Sequence, residues 1–416
     1  MINHILKQIW NQRKSNGWLF GELLLVAVCL WYIVDYLLVT LYAFNAPMGF
    51  DIDHTYKYQF SAREKGAEGY LSPEEHPATA GEDLWNAMNR IRQHPGVEAV
   101  SLSRFGVPYN EIINNTPIGR DTVTEKTSCR IYYVTPEYFD VYRIPSASGN
   151  NRSLGEGLTE NSIVLTKDAV DKIFGGQDAV GKMVYVGNNT STTKVGAVSG
   201  VVRSSEFKRA NPNVYFNMSE KDIKTINAGS LPWAEVSVRV KPDADRSFAD
   251  TFMKENSNQM EIGNLYLQSI TPVSTLREDG IREGKGEMNT RLSILLFLLI
   301  NIFLGIVGTF WFRTRQRQGE MGLRMALGST RSQLRSTVLG EGVLLLALAF
   351  VPAVVICGNI MFADLTNTVL MDNTVLRFVI GMLITYLLIV LMIIAGIWYP
   401  ANEAASLEPA EALHYE

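Results

Sequence analysis

Four long apolar runs limit what this chain can fold into. WLFGELLLVAVCLWYIVDYLLVTLYAF occupies 18–44, TRLSILLFLLINIFLGIVGTFWF occupies 290–312, and two further runs cover 337–362 and 376–398. Each supplies about the 20 apolar residues that a helix needs to cross a bilayer core at 1.5 Å rise per residue. The expected fold class is therefore a membrane protein with four transmembrane helices. The first run exceeds the roughly 7–15 residues of a secretory signal core, and no small-x-small cleavage site follows it, so it is expected to be retained as a signal anchor.

Lys and Arg close to the spans set the orientation. Lys7, Arg13 and Lys14 precede the first run, and Arg313, Arg315, Arg317, Arg324, Arg331 and Arg335 fill 313–336 between the second and third. Both segments read as cytoplasmic. That places 45–289 outside, the short loop 363–375 outside, and the tail 399–416 inside, so that both termini are cytoplasmic. Ile9, Trp10 and Trp18 lie beside basic residues in 1–17, which suits an interfacial helix anchored at the headgroups.

The intervening segment 45–289 is long enough for its own core and reads as an α+β extracytoplasmic domain between helices 1 and 2. HTYKYQFSA reads as a strand. GEDLWNAMNRIRQHPG puts Leu84, Met88 and Ile91 on one helical face and ends at Pro95-Gly96, and VEAVSLSRF returns to strand period. The order recurs in AEVSVRVKP, a helical stretch with Phe248, Phe252 and Met253, and NLYLQSI. Two β-α-β halves, about 51–110 and 234–275, thus flank an inserted lobe, about 129–218, that is richer in strands and turns. Cys129 has no disulfide partner within this segment, and Cys29 and Cys357 fall in spans.

GGQDAVGKM, at 175–183, carries the spacing of a phosphate-binding loop without its final Ser or Thr. A true loop of that kind follows a strand and opens a helix. Here the helix KDAVDKIF precedes and the strand MVYVG follows, and Met183 cannot hold Mg²⁺, so a helix-to-strand turn is the expectation. The five histidines show no metal-ligand spacing, and no nucleophile motif is present. No catalytic, cofactor or metal site is expected in this chain. The net charge of −4 offers no basic excess, and no nucleic-acid partner is expected.

In RTRQRQGEMGLRMALGSTRSQLRSTVLGEG, from Arg313, the apolar residues alternate while Arg317, Glu320, Arg324, Arg331 and Arg335 fall 3, 4, 7 and 4 apart. The charges favour one helical stripe, with Glu320 and Arg324 an i,i+4 pair. An amphipathic helix over 313–336 either sets topology against anionic headgroups or docks a cytoplasmic partner. Within the first span, Glu22 lies near the inner interface and Asp35 toward the outer one. Intramembrane acids are structural or gating elements. Arg291 and Arg377 are the candidate partners of Asp35.

The stretch from Gly319 resembles the signature of MacB/FtsX-type ABC transporter permeases. Glu320, Gly322, Arg324, Ala326, Leu327, Gly328 and Arg331 match its pattern residue by residue, while Met325 stands where Arg is common. Pro400, Ala401, Ala404, Pro409, Ala412 and Leu413 match the family's ending, and VTPEYFDVYRIP and IFGGQDAVGKMVYVG resemble its periplasmic core. The resemblance implies a bacterial inner-membrane permease dimer, identical or sibling, on ABC ATPase subunits. It implies that ATP and Mg are bound by that separate partner chain and that the matched residues of 313–336 couple to it. It further implies that motion is transmitted to the periplasmic domain for export or release of a peptide, toxic amphiphile or lipoprotein, with a periplasmic adaptor as a possible further partner beside the membrane lipids. Few ionisable groups in the spans agree with transport that uses no path through the bilayer. The alternatives are a regulator of the cell-division FtsX kind that activates a cell-wall hydrolase, and a ligand-binding membrane sensor.

Overall fold

The computed structural model describes residues 13–110, 112–121, 125–147, 154–188, 191–316, 319, 323–324 and 327–406. The interfacial helix expected over 1–17 therefore lies almost wholly outside the described residues, as do Arg317, Glu320, Gly322, Met325, Ala326, Pro409, Ala412 and Leu413.

In chain order, the first elements are α1 (Arg13–Asn45), β1 (Thr55–Ala62), α2 (Ala80–Arg92), β2 (Val97–Arg104), β3 (Asn115–Gly119), β4 (Thr127–Val134) and α3 (Tyr138–Val141). A second group follows: α4 (Leu154–Gly157), β5 (Ser162–Thr166), α5 (Lys167–Phe174), β6 (Met183–Val186), β7 (Thr192–Ser199), β8 (Asn213–Asn217) and α6 (Glu220–Lys224). After a 3-10 turn at Ala228–Trp233 come β9 (Glu235–Val240), α7 (Phe248–Asn256), β10 (Leu265–Pro272), α8 (Val273–Gln316), α9 (Arg331–Phe362) and α10 (Val375–Ser406). The residues divide into an intervening unit, 45–284, and a membrane unit, 1–44 with 285–416.

Within the intervening unit, β10, β1, β9 and β2 lie side by side as an antiparallel layer. Helices α2 and α7 cover one face. Period 3.6 in α2 delivers Leu84, Met88 and Ile91 to a core shared with Tyr58, Phe60 and Phe252. Thr79 and Glu82 form a capping box that starts α2. The lobe between β2 and β9 is a closed ring of strands, β4-β3-β6-β7-β5-β8, sealed by the parallel β8–β4 pairing. Closure removes the free edges, and α5 packs Val170 and Ile173 against the ring's apolar core. Ring and layer share a ladder at two residue pairs, Ser103 with Val134 and Arg104 with Tyr133.

Strand β9 joins the two parts more firmly. Val236, Val238 and Val240 face the helix-covered core, whereas Glu235, Ser237 and Arg239 are also buried, at 4%, 0% and 0% exposure. Each of these polar side chains is bonded. Ser237 Oγ meets the Tyr142 hydroxyl at 2.8 Å, and Arg239 donates to the carbonyl oxygens of Val141, Asp53 and Asp51. Glu235 accepts from the amides of Gly106 and Val107 at 2.8 and 3.1 Å, from Ser103 Oγ at 3.2 Å and from Asn110 Nδ2 at 2.6 Å. Burial pushes its carboxyl above the usual carboxylate range.

The membrane unit holds helices long and apolar enough to span a bilayer over Gly17–Asn45, Ser336–Phe362 and Val375–Gly396, together with most of α8. Leu23, Leu30, Leu346, Ala349, Ile389 and Ile393 form its buried core. Helix α8 begins well before the apolar run at 290. Its first turns belong to the intervening unit, where Arg277 Nε donates to Glu206 Oε1 at 2.6 Å. A Cβ at Gly284 would lie 2.5 Å from the Phe207 ring, so glycine is what allows that close approach.

Candidate functional site

Asp35 lies on α1 with 2% exposure and Arg377 in the first turn of α10 with 3%. The guanidinium meets the carboxylate as a fork, Nε to Oδ1 at 2.7 Å and Nη2 to Oδ2 at 2.6 Å. Planar bidentate pairing of this kind is specific to Arg. The remaining nitrogen, Nη1, donates to the carbonyls of Asn367 and Met371 at 3.1 and 2.8 Å. One side chain thus ties the first span to the fourth and folds the 363–374 connection over itself. Asn373 reinforces that connection through Met361 O, Asp364 Oδ1 and Thr366 Oγ1. Arg291, the other candidate partner, instead pairs with Glu287 and stacks 4.7 Å from the Tyr36 ring centroid.

Glu22 is half-buried and accepts from Thr309 Oγ1, with Oε2 at 3.1 Å. A Cβ at Gly305 would stand 3.3 Å from Glu22 Oε1, so α1 and α8 approach closely there. A third intramembrane acid escaped the sequence reading. Glu341, on α9, is 4% exposed; the signal was a lone carboxylate early in the third apolar run.

The helix expected over 313–336 is interrupted. Gly328 adopts φ +97, the left-handed region that favours glycine, and Ser329 N donates to Arg324 O at 3.0 Å. That is the bond pattern of a helix C-terminus closed by a glycine cap. Thr330 and Gln333 then form the capping box that starts α9 at Arg331. Arg324 and Arg331 consequently sit on opposite sides of a turn rather than on one stripe. The 4-residue spacing of Arg331 and Arg335 falls within α9, but a glycine cap followed by Thr is a stop and a start. At this turn Leu323 and Leu327 are 52% and 79% exposed. Of the residues matched to the signature, Arg324, Leu327, Gly328 and Arg331 are gathered here, whereas Glu320, Gly322 and Ala326 lie outside the described residues.

The phosphate-loop spacing resolves as a turn. It runs from α5 through Gly175, Gly176 and Gly181, all at positive φ, into β6. Three of its amides are spent within the protein: Gly181 N on Val195 O, Lys182 N on Ala179 O and Val180 N on Asp178 Oδ1. Lys182 Nζ rests 5.1 Å from the Phe174 ring centroid.

The model of the MacB-like periplasmic core domain matches residues 48–254, and that of the FtsX-like permease C-terminal matches 292–409. The uncharacterized ABC transporter permease YknZ of Bacillus subtilis is 22% identical over 70% of this chain and 71% of its own length. The macrolide export ATP-binding/permease protein MacB of Pectobacterium atrosepticum is 26% identical over 64% of this chain and 40% of its own length, so less than half of that relative is spanned. The periplasmic region of MacB from Actinobacillus actinomycetemcomitans matches at 15% identity and TM-score 0.33, over 56% of this chain and 94% of that one. With both models matching in order along most of its length, the chain belongs to the MacB/FtsX-type ABC transporter permeases, with an extracytoplasmic domain between its first and second membrane helices.

Proposed function

We propose that this chain is the permease subunit that couples ATP hydrolysis on a separate ABC ATPase subunit to motion of its extracytoplasmic domain. The movement serves export or release of an envelope substrate such as a peptide, toxic amphiphile or lipoprotein. A second permease, identical or sibling, completes the membrane pair, and a periplasmic adaptor receives the substrate. The observation that carries this reading is α8, one helix whose first turn lies in the extracytoplasmic unit and whose end, Gln316, lies close in sequence to the glycine-capped turn. Displacement of the turn by a motor enters the chain next to that helix. The exposed Leu323 and Leu327 supply an apolar contact for the motor, flanked by the basic residues of the same segment.

Leu327→Glu tests the coupling. At 79% exposure the substitution disturbs no packing, yet it puts a charge in the proposed contact. In lipid nanodiscs with the ATPase subunit, stimulated hydrolysis is expected to fall to the rate of the ATPase alone, with the unfolding temperature of the chain unchanged. Full stimulation by the variant would rule the turn out as the contact.

A further inference from the structure

Hollows that open among the described residues of the extracytoplasmic unit include three of differing chemistry. Those of about 650 and 570 Å³ are lined largely by groups already engaged, among them the Lys224–Glu220 pair in the first and the bonded Glu235 in the second. The remaining one, a cavity of about 510 Å³, differs in chemistry. It lies where one end of the strand ring, at the start of β5 and the end of β8, meets β2 and the 3-10 turn. Its volume falls within the roughly 300–1,000 Å³ of small-molecule sites.

Aromatic surface is on offer there. Tyr133 and Phe216 are register partners in the parallel β4–β8 pair, with ring centroids 5.5 Å apart and planes 30° apart, so they form a continuous platform. Trp233, 47% exposed, lines the same space from the 3-10 turn. Rings left at least partly exposed in one concavity retain part of the hydrophobic gain of burial for a ligand.

Charge of both signs is also on offer. Arg104 is exposed, and its guanidinium rests 5.2 Å from the Phe105 ring centroid. Glu160 is exposed as well. Among the described residues neither forms an ion pair or a side-chain hydrogen bond, with each other or with a third group. Asp222, the other lining carboxylate, is occupied by Ser219 N and Oγ at 2.9 and 2.7 Å. One cation and one anion, neither in an ion pair among the described residues, and an aromatic platform therefore share a single small cavity.

We infer that this cavity binds a small zwitterion bearing an aromatic side chain, an aromatic amino acid or dipeptide. Its ring lies on Tyr133 and Phe216 against Trp233, its carboxylate meets Arg104, and its ammonium meets Glu160. The site stands independently of the coupling reading, because binding needs no ATPase.

Calorimetric titration of the full chain in detergent, with L-phenylalanine and with the Phe-Phe dipeptide, each also as its N-acetyl and C-amide form, tests this. Saturable binding of at least one free zwitterion at one site per chain is expected, and the better ligand identifies the size. Arg104→Ala should weaken the free-acid ligand by about tenfold or more while leaving the amide form unchanged. Glu160→Gln should act in the same way on the free amine against the N-acetyl form, because a charge-assisted bond is lost in each case. Trp233→Ala should weaken all forms. Arg104 and Glu160 are exposed, so unfolding temperatures serve as the control for fold. No saturable binding of either zwitterion up to millimolar concentration would overturn the assignment. So would binding whose preference between charged and capped forms is the same in wild type, Arg104→Ala and Glu160→Gln.

Discussion

At the residue scale, Asp35 shows how far a sequence can reach. A lone carboxylate within an apolar run requires a partner, and Arg291 and Arg377 were the two within reach. What decides between them is occupancy. Arg291 has Glu287 one turn away on its own helix and the Tyr36 ring beneath it, whereas Arg377 has two backbone carbonyls and Asp35 arranged around one guanidinium. That arrangement depends on how helices 342 positions apart pack, which no local pattern encodes. Glu341 is the converse case, a legible acid that was passed over. Because both members of the pair are buried, removing one leaves an uncompensated charge, which costs about 3–5 kcal/mol. Asp35→Asn or Arg377→Met is therefore expected to lower the unfolding free energy in micelles by about that amount. The exchange Asp35→Arg with Arg377→Asp should recover only part of the loss, since aspartate at 377 cannot donate to the carbonyls of Asn367 and Met371. Single variants as stable as the parent would show that the pair carries no weight.

At the element scale, β9 shows what alternation alone leaves out. AEVSVRVKP alternates apolar and polar residues, the signature of a strand with one face in water, and the alternation did place the strand. The face carrying Glu235, Ser237 and Arg239 is nonetheless buried, because α3 and the loop from Phe105 fold across it and satisfy each polar group. Those partners lie at least 95 positions away in sequence, so the polar face could not announce its burial. The helix expected over 313–336 failed for a more local reason, the glycine cap at Gly328 and the capping Thr330. Burial raises the Glu235 carboxyl above its ordinary value of 4.5, and that makes β9 pH-sensitive. A group whose folded-state pKa is raised contributes stability that is fully present below the unfolded value and is lost as pH rises through the folded value. Relative to Glu235→Gln, which has no proton to lose, the parent should therefore lose stability as pH rises from 4.5 toward neutrality. Denaturant titrations followed by tryptophan fluorescence at several pH values check the sign. Parallel stability profiles for the two proteins would show that Glu235 does not titrate across this range.

At the scale of the whole molecule, the apolar runs made the spans legible and the basic segments gave them a direction, and the direction has consequences at three exposed positions. Lys65 lies in the domain between the first two spans, Val369 in the connection between the third and fourth, and Leu327 at the glycine-capped turn. The positive-inside rule puts the first two on one side of the bilayer and the third on the other. A thiol placed at each can be read against a quiet background. Cys129 is fully buried and its thiol is pushed up to about 12 by burial, so it offers almost no thiolate at neutral pH. Cys357 is buried, and Cys29, exposed on the first span, is removed by Cys29→Ser. In intact cells whose outer barrier is opened, a membrane-impermeant maleimide is expected to label Lys65→Cys and Val369→Cys at once, and Leu327→Cys only after the inner membrane is broken. Labelling of Leu327→Cys in intact cells would reverse the orientation and remove the turn from the reach of any cytoplasmic ATPase. Protection of Val369→Cys alone would mean instead that the connection held by Arg377 is sunk into the headgroups.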